Sequence, residues 1–194
     1  MDFRAFFRDV VKVSDEELLD VLSHNARHRE LFKGDSVVRS GEPQTEVGFL
    51  VKGIVRSFSV DADGHDITDC ILFMPGSVLV PSVELEEPSS STVEMLSDGE
   101  VVYLGIALIK GLLETSLPAN HLFIRIVSEA WHMHWETRRV VSQLRSRDRY
   151  LWFLRRYPGV VGKVPNRYVA SLLGMTPVTL SRLRTELRNE GVVQ

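Results

Sequence analysis

The residues whose types and spacing best suit a defined chemistry lie near the C terminus. Leu180, Leu183 and Leu187 fall at i, i+3 and i+7, while Val178, Ser181, Arg182 and Thr185 form a second stripe pointing away from them. Thr176 can cap this helix, and Pro177 suits its first position, where a missing N–H costs little. A face of short hydroxyls and one arginine fits the major groove of DNA, where a guanidinium binds guanine O6 and N7 bidentately. Arg182 is the expected base reader. Ser181 suits either a base or a phosphate, Thr176 and the first free N–H groups suit a phosphate, and Arg184 and Arg188 add cations along the flank. Val178, Thr179 and Thr185 complete the expected DNA-facing set.

Immediately upstream, Val169, Leu172 and Leu173 share one helical face within Asn166–Leu173, and Gly174 supplies a tight turn. Two short helices joined by a glycine-containing turn make a helix-turn-helix between Asn166 and Arg188. Spacing and charge leave one alternative open, an ordinary amphipathic hairpin with a charged outer face.

Other chemistries find less support. The single cysteine, Cys70, excludes a disulfide framework, a four-cysteine zinc site and a four-cysteine iron–sulfur centre within one chain, and reads as a lone buried thiol. Without a fixed partner it gives no basis for haem. His132 and His134 stand two apart on an expected helix and so point to different faces. A metal cupin needs a His-x-His pair on strands, but His65 is the only histidine in the middle strands. No metal, no resident cofactor and no enzymatic activity are expected.

These groups must be positioned by elements that the patterning also indicates. Between Leu31 and Gly105, short apolar segments alternate with turn signals such as Ser40-Gly41-Glu42, Asp63-Gly64, Pro75-Gly76 and Asp98-Gly99, which predicts a β-roll or barrel. Strands are expected at Val47–Lys52, Ile54–Val60, Ile67–Phe73 and Glu100–Leu104. Short helices are expected at Ser14–Ser23, with Ser14 and Glu17 as a capping box, and at Ala107–Glu114. Past Pro118 the period lengthens. Phe123, Ile126, Ala130, Met133, Thr137, Val140 and Leu144 occupy a and d positions of a heptad, predicting a long helix that pairs with a second copy. A helix packed on its own domain is the alternative. Ser146 or Asp148 would cap the next helix, placing a boundary near Arg145.

Charge follows the same division. Residues 138–194 hold twelve Lys/Arg against three Asp/Glu, a net +9, leaving −12 for residues 1–137. A polyanion partner for the C-terminal part is implied. No apolar run approaches the ~20 residues of a membrane span, and the opening Met1-Asp2-Phe3-Arg4 lacks a signal-peptide layout, so a cytoplasmic location without membrane attachment is expected.

The run from Tyr168 through Gly174, Thr176, Pro177, Ser181 and Arg182 to Arg184 resembles the helix-turn-helix of Crp/Fnr-type transcription regulators, especially their short subfamily. Weaker matches extend the resemblance over nearly the whole chain: Phe32-Lys33-Gly34-Asp35, Gly41-Glu42, Lys52-Gly53-Ile54-Val55-Arg56, Asp63-Gly64 and Pro75-Gly76. It implies an α+β fold: an antiparallel, cyclic-nucleotide-binding-like β-roll (1–117), a dimerisation helix (118–145) and a winged-helix-like DNA-binding domain (146–194). It also implies a homodimer on double-stranded DNA, RNA polymerase as a further partner, and a small effector in the roll.

Three departures stand out. Val178 occupies the place where the family often has Glu, removing an acceptor for cytosine N4. The chain ends at Gln194, so a short or missing wing is expected. Aligned on the family's phosphate cassette, Ser89-Ser90-Ser91-Thr92 puts Ser89 where cyclic-AMP-binding members place Arg, and a hydroxyl cannot neutralise a buried phosphodiester. Glu84 or Glu86 matches the ribose-binding Glu. The expected effector set is therefore Glu84, Ser89, Ser90, Ser91 and Thr92, for an effector other than cyclic AMP in its usual mode. A second functional reading is a small-molecule sensor acting through protein contacts without specific DNA binding.

Overall fold

A computed structural model describes residues 1–80, 82, 84, 85 and 87–192. Glu86 thus lies outside the described residues. The chain forms two compact units, Met1–Ser57 with Ile71–Trp131, and Phe58–Cys70 with His132–Gln194.

The first unit begins with α1 (Phe3–Ala5), which runs into a single π-helical stretch, Phe6–Val10, and then α2 (Glu16–Asn25). The α2 cap is Asp15, whose side chain accepts the Leu18 N–H at 2.8 Å, so the expected Ser14–Glu17 box is displaced by one residue. A carboxylate beside the positive helix start makes the stronger cap.

Among the described residues eight strands follow: β1 (Arg27–Leu31), β2 (Ser36–Val38), β3 (Glu46–Lys52), β4 (Val55–Val60), β5 (Asp66–Leu72), β6 (Val78–Leu79), β7 (Thr92–Met95) and β8 (Gly99–Gly105). One sheet has the order β1-β8-β3-β6 and the other β2-β7-β4-β5. The four strands expected from the sequence are β3, β4, β5 and β8. The other four lack its signals. β1 reads Arg-His-Arg-Glu-Leu and is held by pairing with β8, Arg29 opposite Val101, while β2, β6 and β7 are too short to show a period.

β3 and β8 are apolar on both faces because each face meets a different layer. Val47, Phe49, Val102 and Leu104 pack with Phe6, Phe7, Leu18 and Leu19 of the N-terminal helices. Their alternates Leu50, Val101 and Tyr103 pack with Val55, Val93 and Met95 of the second sheet. The unit continues with α3 (Ile106–Thr115) and the first part of α4 (Leu117–Gln143).

The second unit holds the far end of the β4–β5 hairpin, the rest of α4, and α5 (Ser146–Arg156), α6 (Asn166–Leu172) and α7 (Pro177–Asn189). The hairpin closes on Gly64 (φ 84°), with Asp61 Oδ1 accepting the N–H groups of Asp63 (2.9 Å) and His65 (2.8 Å). Asp61, Asp63 and His65 bring ligand-type atoms together there, all exposed. The backbone bonds, chiefly from His65, hold the Asp61 carboxyl below its ordinary range and give it a turn-forming role.

The α5 helix starts from an extended Arg145 with no side-chain cap, so Ser146 and Asp148 lie inside its first turn rather than capping it. An aromatic stack ties α5 to the following turn: Phe153 and Tyr157 lie 4.8 Å apart, and Trp152 meets Tyr157 edge-on at 5.8 Å. After α7 the chain turns at Gly191, and no β-wing follows among the described residues.

Candidate nucleic-acid interface

The geometry of the motif starts at its turn. Gly174 N–H donates to Ser171 O and Met175 N–H to Ala170 O, both at 3.0 Å, which folds the chain back after α6. Gly174 has φ 60°, a left-handed conformation natural to glycine. It is also crowded: a Cβ there would stand 2.9 Å from Val141 Cγ1 and 3.3 Å from Arg149 Nη1. Two residues on, Thr176 Oγ1 accepts the Thr179 N–H at 3.1 Å and lies 3.0 Å from Thr179 Oγ1. With Pro177 in the first helical position, the start of α7 is tightly specified.

The two faces of α7 separate as expected. Leu180 and Leu187 are fully buried and Leu183 is half-buried. Val178, Ser181, Arg182 and Thr185 are exposed on the other side. Thr185 Oγ1 donates back to Ser181 O at 3.2 Å. The Arg182 guanidinium has no hydrogen-bond or ion-pair partner among the described residues, so it is available to an outside acceptor. Arg188 and Thr176 are exposed, while Thr179 is half-buried. Arg184 differs: it is half-buried and donates to Asn166 Oδ1, tying α7 to the start of α6.

Several residues that hold this surface in place carry no local sequence signal. Arg149 on α5 donates from Nη1 to Leu173 O (3.0 Å) and Gly174 O (3.1 Å), and from Nε to Leu144 O (2.8 Å). It thereby satisfies carbonyls at the C-terminal ends of α6 and α4, which have no intrahelical partner. Arg147 pairs with Glu190 just past α7. Trp152 Nε1 donates to Glu136 Oε1 at 3.0 Å, joining α5 to α4. Ser171 on α6 accepts the Thr68 N–H at 2.9 Å from the hairpin end. Burial is the main cause of three displaced acidities in this unit, those of Asp69, Tyr150 and Tyr157. It pushes the Tyr157 phenol up to about 12, and it raises the Asp69 carboxyl against the opposing pull of His134 and a hydrogen bond from Ser59.

On α4 the heptad residues divide by environment. Ile126 packs on the core of the first unit and Val140 is buried, whereas Phe123, Met133 and Thr137 are half-buried. Ala130 is exposed, and Leu144 is exposed just beyond the helix. Thr137 Oγ1 donates to Met133 O at 3.0 Å, the usual satisfaction of a hydroxyl within a helix. The large exposed apolar side chains are Leu117 (66%), Ile124 (60%), Trp131 (65%) and Trp135 (52%). They recur at i, i+7, i+14 and i+18, a stripe rotated by about one residue, ~100°, from the expected heptad.

Three of the five expected effector residues have side chains engaged within the protein. Ser89 and Ser91 are buried; Ser89 Oγ donates to Ser91 O, and Ser91 Oγ lies 2.9 Å from Ser57 Oγ. Thr92 Oγ1 accepts the Ser40 N–H at 3.1 Å, while Ser90 and Glu84 are exposed. Gln44, which no local pattern singles out, donates to the carbonyls of Glu84 (3.5 Å) and Glu87 (3.0 Å) and so braces this segment. Residues 81–92 contain no Lys or Arg, and the buried Arg56 gives its Nε to Glu94 at 2.7 Å. This segment does not fit the usual recognition of a cyclic phosphate, since nothing in it neutralises a buried anion.

Comparison with known proteins agrees with the fold. No curated protein matches the chain. Among solved structures, FixK2 from Bradyrhizobium japonicum is 19% identical with a TM-score of 0.76, covering 87% of each chain. The c-di-GMP-responsive global regulator CLP of Xanthomonas campestris is 17% identical with a TM-score of 0.72, covering 93% of this chain and 95% of its own. A protein from Eubacterium rectale described as a Crp/Fnr-family transcriptional regulator is 16% identical with a TM-score of 0.71, covering 93% and 87%. Residues 28–116 match the cyclic nucleotide-binding domain family, and with that domain in place the chain has the fold shared by Crp/Fnr-type transcription regulators.

Proposed function

We propose that this protein is a sequence-specific DNA-binding transcription regulator that acts as a homodimer, with the β-roll as sensor. The observation that carries the proposal is the outer face of α7, where exposed Ser181 and Thr185 flank an unengaged Arg182 on a helix stiffened by its Thr176–Pro177 start. The +9 charge of residues 138–194 favours approach to a polyanion. Ser181 and Arg182 read bases; Thr176, Thr179, Thr185 and Arg188 serve the groove walls and phosphates. Arg184 acts chiefly by orienting α6 against α7, because its guanidinium is held by Asn166.

Two copies pair along α4. The stripe of Ile124, Trp131 and Trp135 leads this interface and Ala130 and Met133 border it, because Ile126 and Val140 already serve the core of their own chain. Two-fold pairing calls for pseudo-palindromic sites with half-sites ~34 Å apart, or a multiple of that. The roll takes a small effector other than cyclic AMP held in its usual mode, and RNA polymerase is the expected partner at a promoter. The protein has no enzymatic role in this reading.

Selection of bound duplexes from random DNA tests the proposal. A palindromic consensus is expected, and Arg182→Ala should weaken binding to it roughly 10- to 100-fold while leaving the melting temperature unchanged, since a bidentate Arg–guanine contact is worth ~1–3 kcal/mol. Absence of an enriched sequence at low salt would overturn the proposal. Wild-type regulation by Arg182→Ala in cells would instead favour the sensor acting through protein contacts.

A further inference from the structure

Val178 differs chemically from everything around it on the outer face of α7. Ser181 and Thr185 carry hydroxyls and Arg182 a guanidinium, all able to donate hydrogen bonds, but Val178 offers only two methyl groups. It is 60% exposed and stands at the second helical position, directly after Pro177. Thr176 holds that turn through the Thr179 N–H, so the Val178 methyl groups are presented from a rigid backbone. β-Branching further restricts its side chain, with one strongly preferred χ1 rotamer in a helix.

Base edges in the major groove expose donors, acceptors and a single apolar group, the C5-methyl of thymine. A side chain without polar atoms can gain affinity there only at that methyl; opposite any other edge it covers a polar group without bonding it. Resting on the DNA-binding reading above, we infer that Val178 is a specificity-determining residue that selects thymine through its methyl group. The position of that thymine follows from helix geometry. Val178 and Arg182 are i and i+4 neighbours, ~6 Å apart along the axis, and base pairs rise ~3.4 Å, so the thymine lies within about two base pairs of the guanine read by Arg182.

Uracil substitution isolates this contact, because it removes the methyl and leaves every hydrogen-bonding edge intact. On the duplex selected by the full-length protein, each thymine of the half-site is replaced in turn by deoxyuridine, and binding is measured for wild type and for Val178→Ala. One position near the Arg182 guanine should weaken wild-type binding about fourfold, as loss of one buried methyl implies. Val178→Ala should bind the thymine duplex several-fold more weakly than wild type and be indifferent to uracil at that same position, since the two changes remove one shared contact. Tolerance of uracil at every position by wild type, or equal sensitivity of Val178→Ala, would overturn the inference while leaving DNA binding intact. Failure to enrich any DNA would overturn both.

Discussion

Arg149 and Gly174, twenty-five positions apart, meet at the turn of the helix-turn-helix: Arg149 Nη1 donates to Gly174 O at 3.1 Å and lies 3.3 Å from where a Cβ on Gly174 would stand. The same guanidinium bonds Leu173 O and Leu144 O, so one side chain from α5 ties the ends of α4 and α6 together. The exposed outer face of α7 inherits its placement from this junction.

Replacing Arg149 with Ala should strand three carbonyl oxygens and destabilise the helical unit by about 2 kcal/mol, the scale of lost hydrogen bonds to a charged group. Arg149→Lys should recover only part of this, since an ammonium cannot reproduce the planar fork. Chemical denaturation of the three proteins checks the order.

Gly174→Ala should cost about 2–3 kcal/mol, combining ~1–2 for a left-handed alanine with a contact of 2.9 Å to Val141 Cγ1. Pairing it with Val141→Ala should relieve the steric part only. A double-mutant cycle on unfolding free energies that shows no coupling would contradict this account.

The exposed stripe on α4 separates assembly from folding. Trp131→Glu should shift sedimentation toward monomer with little change in melting temperature, because Trp131 is 65% exposed within its own chain. Val140→Asp should instead unfold the helical unit, since Val140 is 6% exposed and an unpaired buried carboxylate is costly. Sedimentation velocity alongside thermal melting distinguishes the two.

Alkaline pH should act through Tyr157. Burial lifts its pKa to about 12 in the fold, against ~10 when unfolded, so between these values the unfolded chain has released a proton that the folded chain retains. Stability contributed by the neutral phenol is complete below pH ~10 and is lost as pH rises toward about 12. Denaturation midpoints measured from pH 9 to 12 should fall across this window, and Tyr157→Phe should flatten the decline.

Much of the candidate nucleic-acid interface was legible in the chain itself. Gly174, the Thr176–Pro177 start and the Leu180–Leu183–Leu187 stripe each act within a turn or two of helix, and short-range geometry is what residue spacing encodes. The strands of the roll with a clear apolar run, β3 and β8, were legible for the same reason. β1 was not, because five mostly charged residues become a strand only when β8 supplies their hydrogen bonds. Arg149 reads as one more basic residue until Leu144, Leu173 and Gly174 are brought beside it. On α4 the heptad spacing foretold a long helix but not which face stays exposed; Ile126 and Val140 turn inward because the roll and the helical unit claim them first. The Ser89 hydroxyl, offered to a ligand by the cassette alignment, is taken by the Ser91 carbonyl, and the Ser91 hydroxyl by Ser57. Local periodicity therefore determined the helices of the C-terminal motif and the residue types on the outer face of α7, whereas burial and partnership, which depend on contacts between residues distant in the chain, were decided only by the tertiary fold.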